Sequence, residues 1–323
     1  MRSEVGRLPE LFLSRLQQII PSSKWNSIAN TFSETKPTTF RVNTLKTTPS
    51  EVKRFLEERN FWLTTIPWFG DGFLLRKGRQ KDLEATEIYQ EGHIYLQSLS
   101  SMIPSLVLGP KPGESILDLT AAPGGKTTQM ACLMKNEGMI VANESNKVRF
   151  EKLKSNLKTQ GAENVEAVLS YGESFGNKYP EKFDRVLLDA PCSAEGRFCA
   201  SEPPSYRYWN LDVVKENAKL QKKLLVSGLK ALKPGGVLVY STCTFSPEEN
   251  EEVIDSALQL LKDSIELETF KFLVLNQTPG FTKWQGRAFG TLLQRTLRIL
   301  PTPEMEGFYV ARIRKKKSAE IKN

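Results

Sequence analysis

Hydrophobic positions follow three successive patterns along the chain. Phe12, Leu16, Ile19 and Ile20 recur at helical spacing, and Trp25, Ile28, Ala29 and Phe32 repeat the pattern, which predicts two short amphipathic helices at the start. Residues 38–46, TTFRVNTLK, then alternate as a strand does. Thr48-Pro49-Ser50-Glu51 reads as a capping box with proline at the first helical position, ahead of Val52, Phe55 and Leu56 on one helix face. Trp62, Ile66 and Trp68 continue as an extended segment, Gly70-Asp71-Gly72 is expected to turn it, and Phe73, Leu74 and Leu75 return. Residues 1–96 are therefore expected to form a small α+β domain carrying the two opening helices.

Beyond residue 96 short apolar runs alternate with longer helical segments. The runs are 115–119, 139–144, 165–170, 183–191 and 236–243, and the helix predicted over 212–232 is followed by Lys233-Pro234-Gly235-Gly236, expected to stop it. A Glu-rich helix over 247–261 and a closing strand pair, 297–301 and 307–315, complete the chain. Alternating strands and helices predict an α/β fold, a doubly wound Rossmann-like domain over 97–323 with a parallel sheet. No internal repeat is visible.

Composition narrows the class. With 39 % hydrophobic and 25 % charged residues in 323, the chain reads as a soluble globular protein. No apolar run approaches the roughly 18 residues of a membrane span, so neither a span nor a signal peptide is expected, and a cytoplasmic monomer is favoured. A formal charge of +8 and a pI near 9.2 favour an acidic partner, most commonly nucleic acid. Cys132, Cys192, Cys199 and Cys243 show no C-x-x-C spacing, and His93 is the only histidine, so no metal site or histidine triad is expected.

The stretch 115–127, SILDLTAAPGGKT, joins a buried-strand pattern to a glycine-rich turn and a helix start, the arrangement that presents backbone amides to a nucleotide-like ligand. A phosphate-binding P-loop would need glycine where Thr120 stands, and no G-x-G-x-x-G fingerprint is present, which leaves a nucleoside site of the kind that takes S-adenosylmethionine. Glu144 closes the next strand, where one carboxylate can bond both ribose hydroxyls. Asp118 is expected to brace the turn rather than touch cofactor. Further on, Asp189-Ala190-Pro191-Cys192 and Ser241-Thr242-Cys243 end two strands expected to share one crevice, so two thiols face one site. Cys132 and Cys199 are expected to be small core residues.

LDLTAAPGGKT, ANE at 142–144, LLDAPCSAEG at 187–196 and YSTCTFSPEENE at 240–251, with FRVNTLK, IYLQSLSSM and EGFYVARIRK outside the core, resemble the RNA cytosine-C5 methyltransferases of the Nol/Nop/Sun family. The opening LPELFLSRL is most similar to the bacterial branch that methylates small-subunit ribosomal RNA, methyltransferase F. The resemblance implies a cofactor site made by Thr120, Ala121, Ala122, Pro123, Gly124, Gly125 and Lys126 with Glu144 and Asp189. Tyr171 stands where relatives carry a further acid, and it or Glu173 is expected beside adenine. The resemblance also implies that Cys243 attacks carbon 6 of the cytosine and that Cys192 helps release product. Asp189 and Lys126 would stabilise the base and its charge.

RNA is the expected partner, ribosomal RNA first and transfer RNA second, on three surfaces: Arg41 and Lys46, the loop Ser205–Trp209, and the tail Arg312, Arg314 and Lys315–Lys317. No separate RNA-binding domain is expected after the catalytic one. Two other readings are a DNA cytosine methyltransferase, which would make Cys192 the nucleophile, and an RNA-binding assembly factor with a vestigial methyl site.

Overall fold

The computed structural model describes residues 4–272, 274 and 276–318. Two sheets organise it. The smaller, in order β2-β3-β1-β4, combines β1 (Thr39–Val42), β2 (Trp62–Ile66), β3 (Phe69–Lys77) and β4 (Ile94–Leu96). Helix α3 (Pro49–Glu57) begins with the expected capping box, Thr48 and Glu51 exchanging side-chain bonds with each other's backbone, and buries Val52 and Leu56 on one face of that sheet. Two short helices, α4 (Gln80–Glu84) and α5 (Glu87–Gln90), close its edge. Gly70-Asp71-Gly72 lies inside β3 and does not turn the chain; the turn falls at Pro67-Trp68, where proline ends β2.

The larger sheet is nine-stranded, with the main order β11-β14-β15-β9-β8-β5-β6-β7. Its parallel part is β5 (Ser115–Asp118), β6 (Met139–Glu144), β7 (Val165–Leu169), β8 (Phe183–Asp189) and β9 (Leu232–Thr242). The sheet is mixed rather than parallel throughout. β10 (Ile265–Leu267) and β15 (Phe308–Lys315) run antiparallel, as do β11 (Gln277–Pro279) and β14 (Leu297–Ile299), while β12 (Lys283–Trp284) and β13 (Arg287–Ala288) form a separate ribbon. Strand order reverses between β5 and β8, which opens a crevice at their carboxyl ends.

Alternation along the strands sorts the core into two faces. Ile116, Leu187, Val237, Val239 and Val310 join one cluster with α6 (Leu99–Leu108), α7 (Gly125–Leu133) and α8 (Lys147–Gln160). Leu117, Val186, Leu188, Leu238 and Tyr240 join the other, with α9 (Phe175–Lys178), α10 (Leu211–Ala231) and α11 (Glu251–Leu261). The opening helices, α1 (Glu10–Ile19) and α2 (Trp25–Asn30), belong to that second cluster: Phe12 packs on Phe198 and Trp209, and Phe32 on Phe245. They share the larger sheet's core, not that of the small sheet. α10 ends at Ala231, where the expected stop stands, and passes directly into β9, in which Lys233–Gly236 form a bulge opposite Asp184.

Candidate active site

The turn after β5 is fixed by backbone bonds to its neighbours. The Leu119 amide donates to the Leu187 carbonyl, the Ala121 amide to that of Asn143, and the Thr120 hydroxyl to that of Asp189 (2.8 Å). Gly124 sits at φ 108° as the residue before α7, a conformation that favours glycine, and no side chain caps the helix start. A Cβ on Gly125 would lie 3.0 Å from the Tyr95 ring, so this glycine also lets β4 approach the turn. Below the turn, buried Asp118 accepts from the Thr127 hydroxyl at 2.7 Å, and burial pushes its carboxyl up to about 7.

A cleft of about 370 Å³ opens above these elements. Among the sequence-predicted residues it is lined by Thr120, Ala121, Ala122, Pro123, Gly125, Lys126, Asp189 and Cys243, and also by Asp118. Lys126 Nζ donates to Asp189 Oδ2 (2.7 Å) and Ser101 Oγ (2.6 Å), while Ser241 Oγ donates to Asp189 Oδ1 (2.7 Å). This half-buried carboxylate is therefore held on both oxygens. Glu144 is buried behind the cleft, its Oε1 accepting from the Asn146 amide at 2.8 Å and its Oε2 lying 3.5 Å from Arg149 Nη1. Arg149 also donates to the Ala122 carbonyl and lines the cleft.

The two strand-end cysteines meet: Cys192 Sγ lies 3.4 Å from Cys243 Sγ. The loops carrying them are tied to each other. Gly196 donates to the Cys243 carbonyl (2.8 Å), Ser193 Oγ pairs with Thr244 Oγ1 (2.8 Å), and Glu195 accepts from the Phe245 amide and the Ser246 hydroxyl. Glu249 accepts from the Ser193 amide and hydroxyl and from Gln221, and burial pushes it up to about 8. The hydrogen bond to Cys243, followed by burial, raises the Cys192 thiol well above its ordinary value. The two sulfurs are within hydrogen-bond distance of each other, and either thiol can be the donor.

Several expectations part from the geometry. Tyr171 is 73 % exposed and does not line the cleft, and Glu173 faces a separate hollow beside Lys222 and Lys223. Arg41 is 1 % exposed: it donates to Gln97, Gly125 and Thr128, stacks on Tyr95 and so docks the small sheet and faces no open RNA surface, whereas Lys46 donates to the Glu91 and Thr159 carbonyls and stays exposed. Arg312 and Arg314 pair with Glu268 within β15, and Lys315 is buried against Glu181, which leaves Lys316 and Lys317 as the exposed part of the basic tail. Trp209 is packed and donates to Glu195, whereas Tyr208 is 72 % exposed under the Arg207 guanidinium. The cleft also holds Tyr95, Ser101, Arg149, Arg197, Glu306 and Phe308, which the sequence reading did not single out. Phe308 begins β15, which pairs with β9, the strand that leads to Cys243. Among the described residues no cluster is placed to hold a metal, and no helix is long and apolar enough to cross a membrane.

Residues 105–314 match the model of the 16S rRNA methyltransferase RsmB/F family, and residues 8–99 match that of the N-terminal domain of 16S rRNA methyltransferase RsmF. The chain belongs to the RsmB/F family. Within the curated relatives it is 45 % identical over 277 residues to a tRNA (cytosine(49)-C(5))-methyltransferase of Pyrococcus abyssi, covering 85 % of this chain and 87 % of that one. It is 37 % identical over 318 residues to ribosomal RNA small subunit methyltransferase F of Vibrio parahaemolyticus, covering 97 % of this chain and 64 % of that protein's length. A solved methyltransferase homolog protein from Pyrococcus horikoshii superposes with a TM-score of 0.83 at 35 % identity, over 98 % of this chain and 99 % of that one. NSun6 from the same organism, determined with SFG, shares the fold at 23 % identity and a TM-score of 0.80, over 96 % and 99 %. The RsmB/F fold is thus an α/β methyltransferase domain preceded by a small sheet domain.

Proposed function

We propose that this RsmB/F chain is an S-adenosylmethionine-dependent RNA cytosine-C5 methyltransferase acting through a covalent cysteine adduct. The observation that carries the reading is the Cys192–Cys243 approach of 3.4 Å, beside the Lys126–Asp189 pair and at the mouth of the glycine-rich turn. The residues fit the cofactor. An uncapped helix start at Gly125, the buried Glu144 carboxylate and the polar edge of Asp189 give the amides and acceptors that a nucleoside needs. S-adenosylmethionine, when bound, supplies the electrophilic methyl group that carbon 5 takes up.

The chain's own side chains prepare the base. Cys243, as thiolate, adds to carbon 6, and the electron pair moves to carbon 5, making it nucleophilic. Asp189 accepts from the base's amino group, with Lys126 and Ser241 fixing its orientation, and the Lys126 ammonium beside it offsets the negative charge created by addition. After methyl uptake the carbon 5 proton passes to water, and the electron pair of that bond re-forms the ring double bond and expels Cys243 from carbon 6 as thiolate. Cys192, held as a thiol, assists that exit.

Ribosomal RNA of the small subunit is the favoured substrate, supported by the match over 8–99 and 105–314 to the RsmF and RsmB/F models. A tRNA substrate is supported by the 45 % identity to the Pyrococcus abyssi enzyme over 87 % of its length. Incubating the protein and S-adenosylmethionine with 16S rRNA, small subunits and tRNA, followed by bisulfite sequencing, tests both. Conversion-resistant cytosines in rRNA alone support the first, in tRNA alone the second, and none in any RNA overturns the proposal.

A further inference from the structure

Three cations line the cleft, and two are committed to the protein. Lys126 is bound to Asp189 and Ser101, and Arg149 to the Ala122 carbonyl beside Glu144. Arg197 is different: its side chain is 65 % exposed, makes no hydrogen bond among the described residues, and has its Nε 3.8 Å from Glu306 Oε1. Its mounting is nevertheless rigid. Gly196 donates to the carbonyl of Cys243, and a Cβ there would stand 2.2 Å from the Gly307 carbonyl, so only glycine lets this loop close on Cys243. Phe198, on the other side, is buried against Phe12. A fixed backbone thus carries an uncommitted guanidinium into the cleft within one residue of the Cys243 contact.

We infer that Arg197 is a phosphate-binding residue for the RNA, receiving a backbone phosphate next to the target cytidine; the inference rests on the function proposed above. Arginine suits this task because its donors lie in a planar fork that matches two phosphate oxygens. Only Nε approaches Glu306, so both terminal nitrogens of the fork remain for a ligand in the cleft that Arg197 lines. Glu306, held by Ser100 Oγ at 2.9 Å, keeps the side chain extended in the absence of RNA and yields its partner to the phosphate. The other acids lining the cleft, Asp118 and Asp189, are satisfied by Thr127 and by Lys126 with Ser241, and do not compete for Arg197.

Filter binding of an oligoribonucleotide substrate to the full chain across a salt series provides the test, with calorimetric titration of S-adenosylmethionine as a control. For Arg197→Ala, the slope of log affinity against log salt should shrink by about 0.7, the share of one single-strand phosphate. The Michaelis constant for RNA should rise far more than kcat falls. Arg197→Lys should recover part of both, and Glu306→Gln should tighten RNA binding by freeing the guanidinium. An unchanged slope in a folded Arg197→Ala protein that still binds cofactor overturns the inference. So does a shifted pH profile of kcat with the slope intact, which would assign Arg197 to the Cys243 thiolate. Because the slope is read without turnover, failure of methylation alone and failure of phosphate binding are separate outcomes.

Discussion

Replacing Arg41 tests how the small sheet is joined to the cofactor turn. The guanidinium is buried, no carboxylate pairs with it among the described residues, and burial lowers its pKa, so it bears a large desolvation cost. Opposing that cost are bonds to Gln97 Oε1 (2.9 Å), the Gly125 carbonyl (3.1 Å) and Thr128 Oγ1 (2.6 Å), besides the Tyr95 ring at 5.1 Å. Each hydrogen bond from a charged donor is worth roughly 1.5–3 kcal/mol. Lysine keeps the buried charge but cannot span both Gln97 and the start of α7; losing two bonds costs about 3–6 kcal/mol with no relief of desolvation. Methionine loses all three bonds but removes the charge, which returns several kcal/mol and leaves a net cost of roughly 1–4 kcal/mol. With an unfolding entropy of about 2.1 cal/mol/K per residue, 1 kcal/mol corresponds to about 1.5 °C in a chain this long. Melting curves should therefore place Arg41→Lys about 4–9 °C below wild type and Arg41→Met about 1–6 °C below it. The reasoning is refuted if methionine is the worse substitution, or if neither variant moves the midpoint.

Substituting the two cysteines should separate their jobs: with RNA and cofactor, Cys243→Ala should give neither product nor adduct, and Cys192→Ala should trap a protein–RNA adduct seen as a slow band on a denaturing gel. An adduct formed by Cys243→Ala would reverse the assignment. Glu144→Ala should weaken S-adenosylmethionine binding by roughly 1.5–3 kcal/mol, the worth of hydrogen bonds to a charged acceptor, in calorimetric titration; unchanged affinity in a folded variant would remove Glu144 from the ribose site. Asp118, raised from 3.8 to about 7, holds its proton in the fold while the unfolded chain releases it. Its effect on stability is thus most favourable below pH 4 and is lost as pH rises to 7, by up to about 1.4 kcal/mol per pH unit. Between pH 5 and 7 Asp118→Asn should lose less stability than wild type, and parallel melting curves for the two would contradict the buried, protonated carboxyl.

The parallel strands were legible because both faces of the sheet are covered, so 140–142 and 186–188 read as continuous apolar runs at the strand centres. The capping box at Thr48 was legible for a different reason: a cap is a local contract among four residues. What failed depended on partners distant in sequence. Arg41 looks like a surface cation in FRVNTLK, yet it is buried and its partners are Gln97 and Thr128. The opening helices displayed their apolar stripes plainly, but nothing in a stripe says that Phe198 and Phe245, nearly two hundred residues on, would cover it. The meeting of Cys192 and Cys243 could be argued from strand ends alone. The placement of Arg197 could not, because it follows from Gly196 closing against Gly307.

The acids around the cysteine loops explain why the two sulfurs sit so close. PEENEE at 247–252 reads as a solvated helix start, but Glu249 and Glu251 are buried, with Glu195 of the opposite loop. Glu195 and Glu249 bond across the gap, Glu195 to Phe245 and Ser246 and Glu249 to Ser193, while Glu251 pairs with buried Arg298, which also donates to the Phe245 carbonyl. Buried charges of this kind add little net stability compared with apolar residues of equal volume. Their directional bonds instead leave each loop few alternatives to the conformation that faces the other. A core of leucines would hold these loops together about as tightly and would leave their relative register loose. For the reaction proposed above, in which one sulfur attacks and the other assists its departure, register is the property that matters, because a displacement of about 1 Å can cost on the order of a hundredfold in rate. In the proposed mechanism the buried acids therefore serve to position the two cysteines, although none of them lines the cleft.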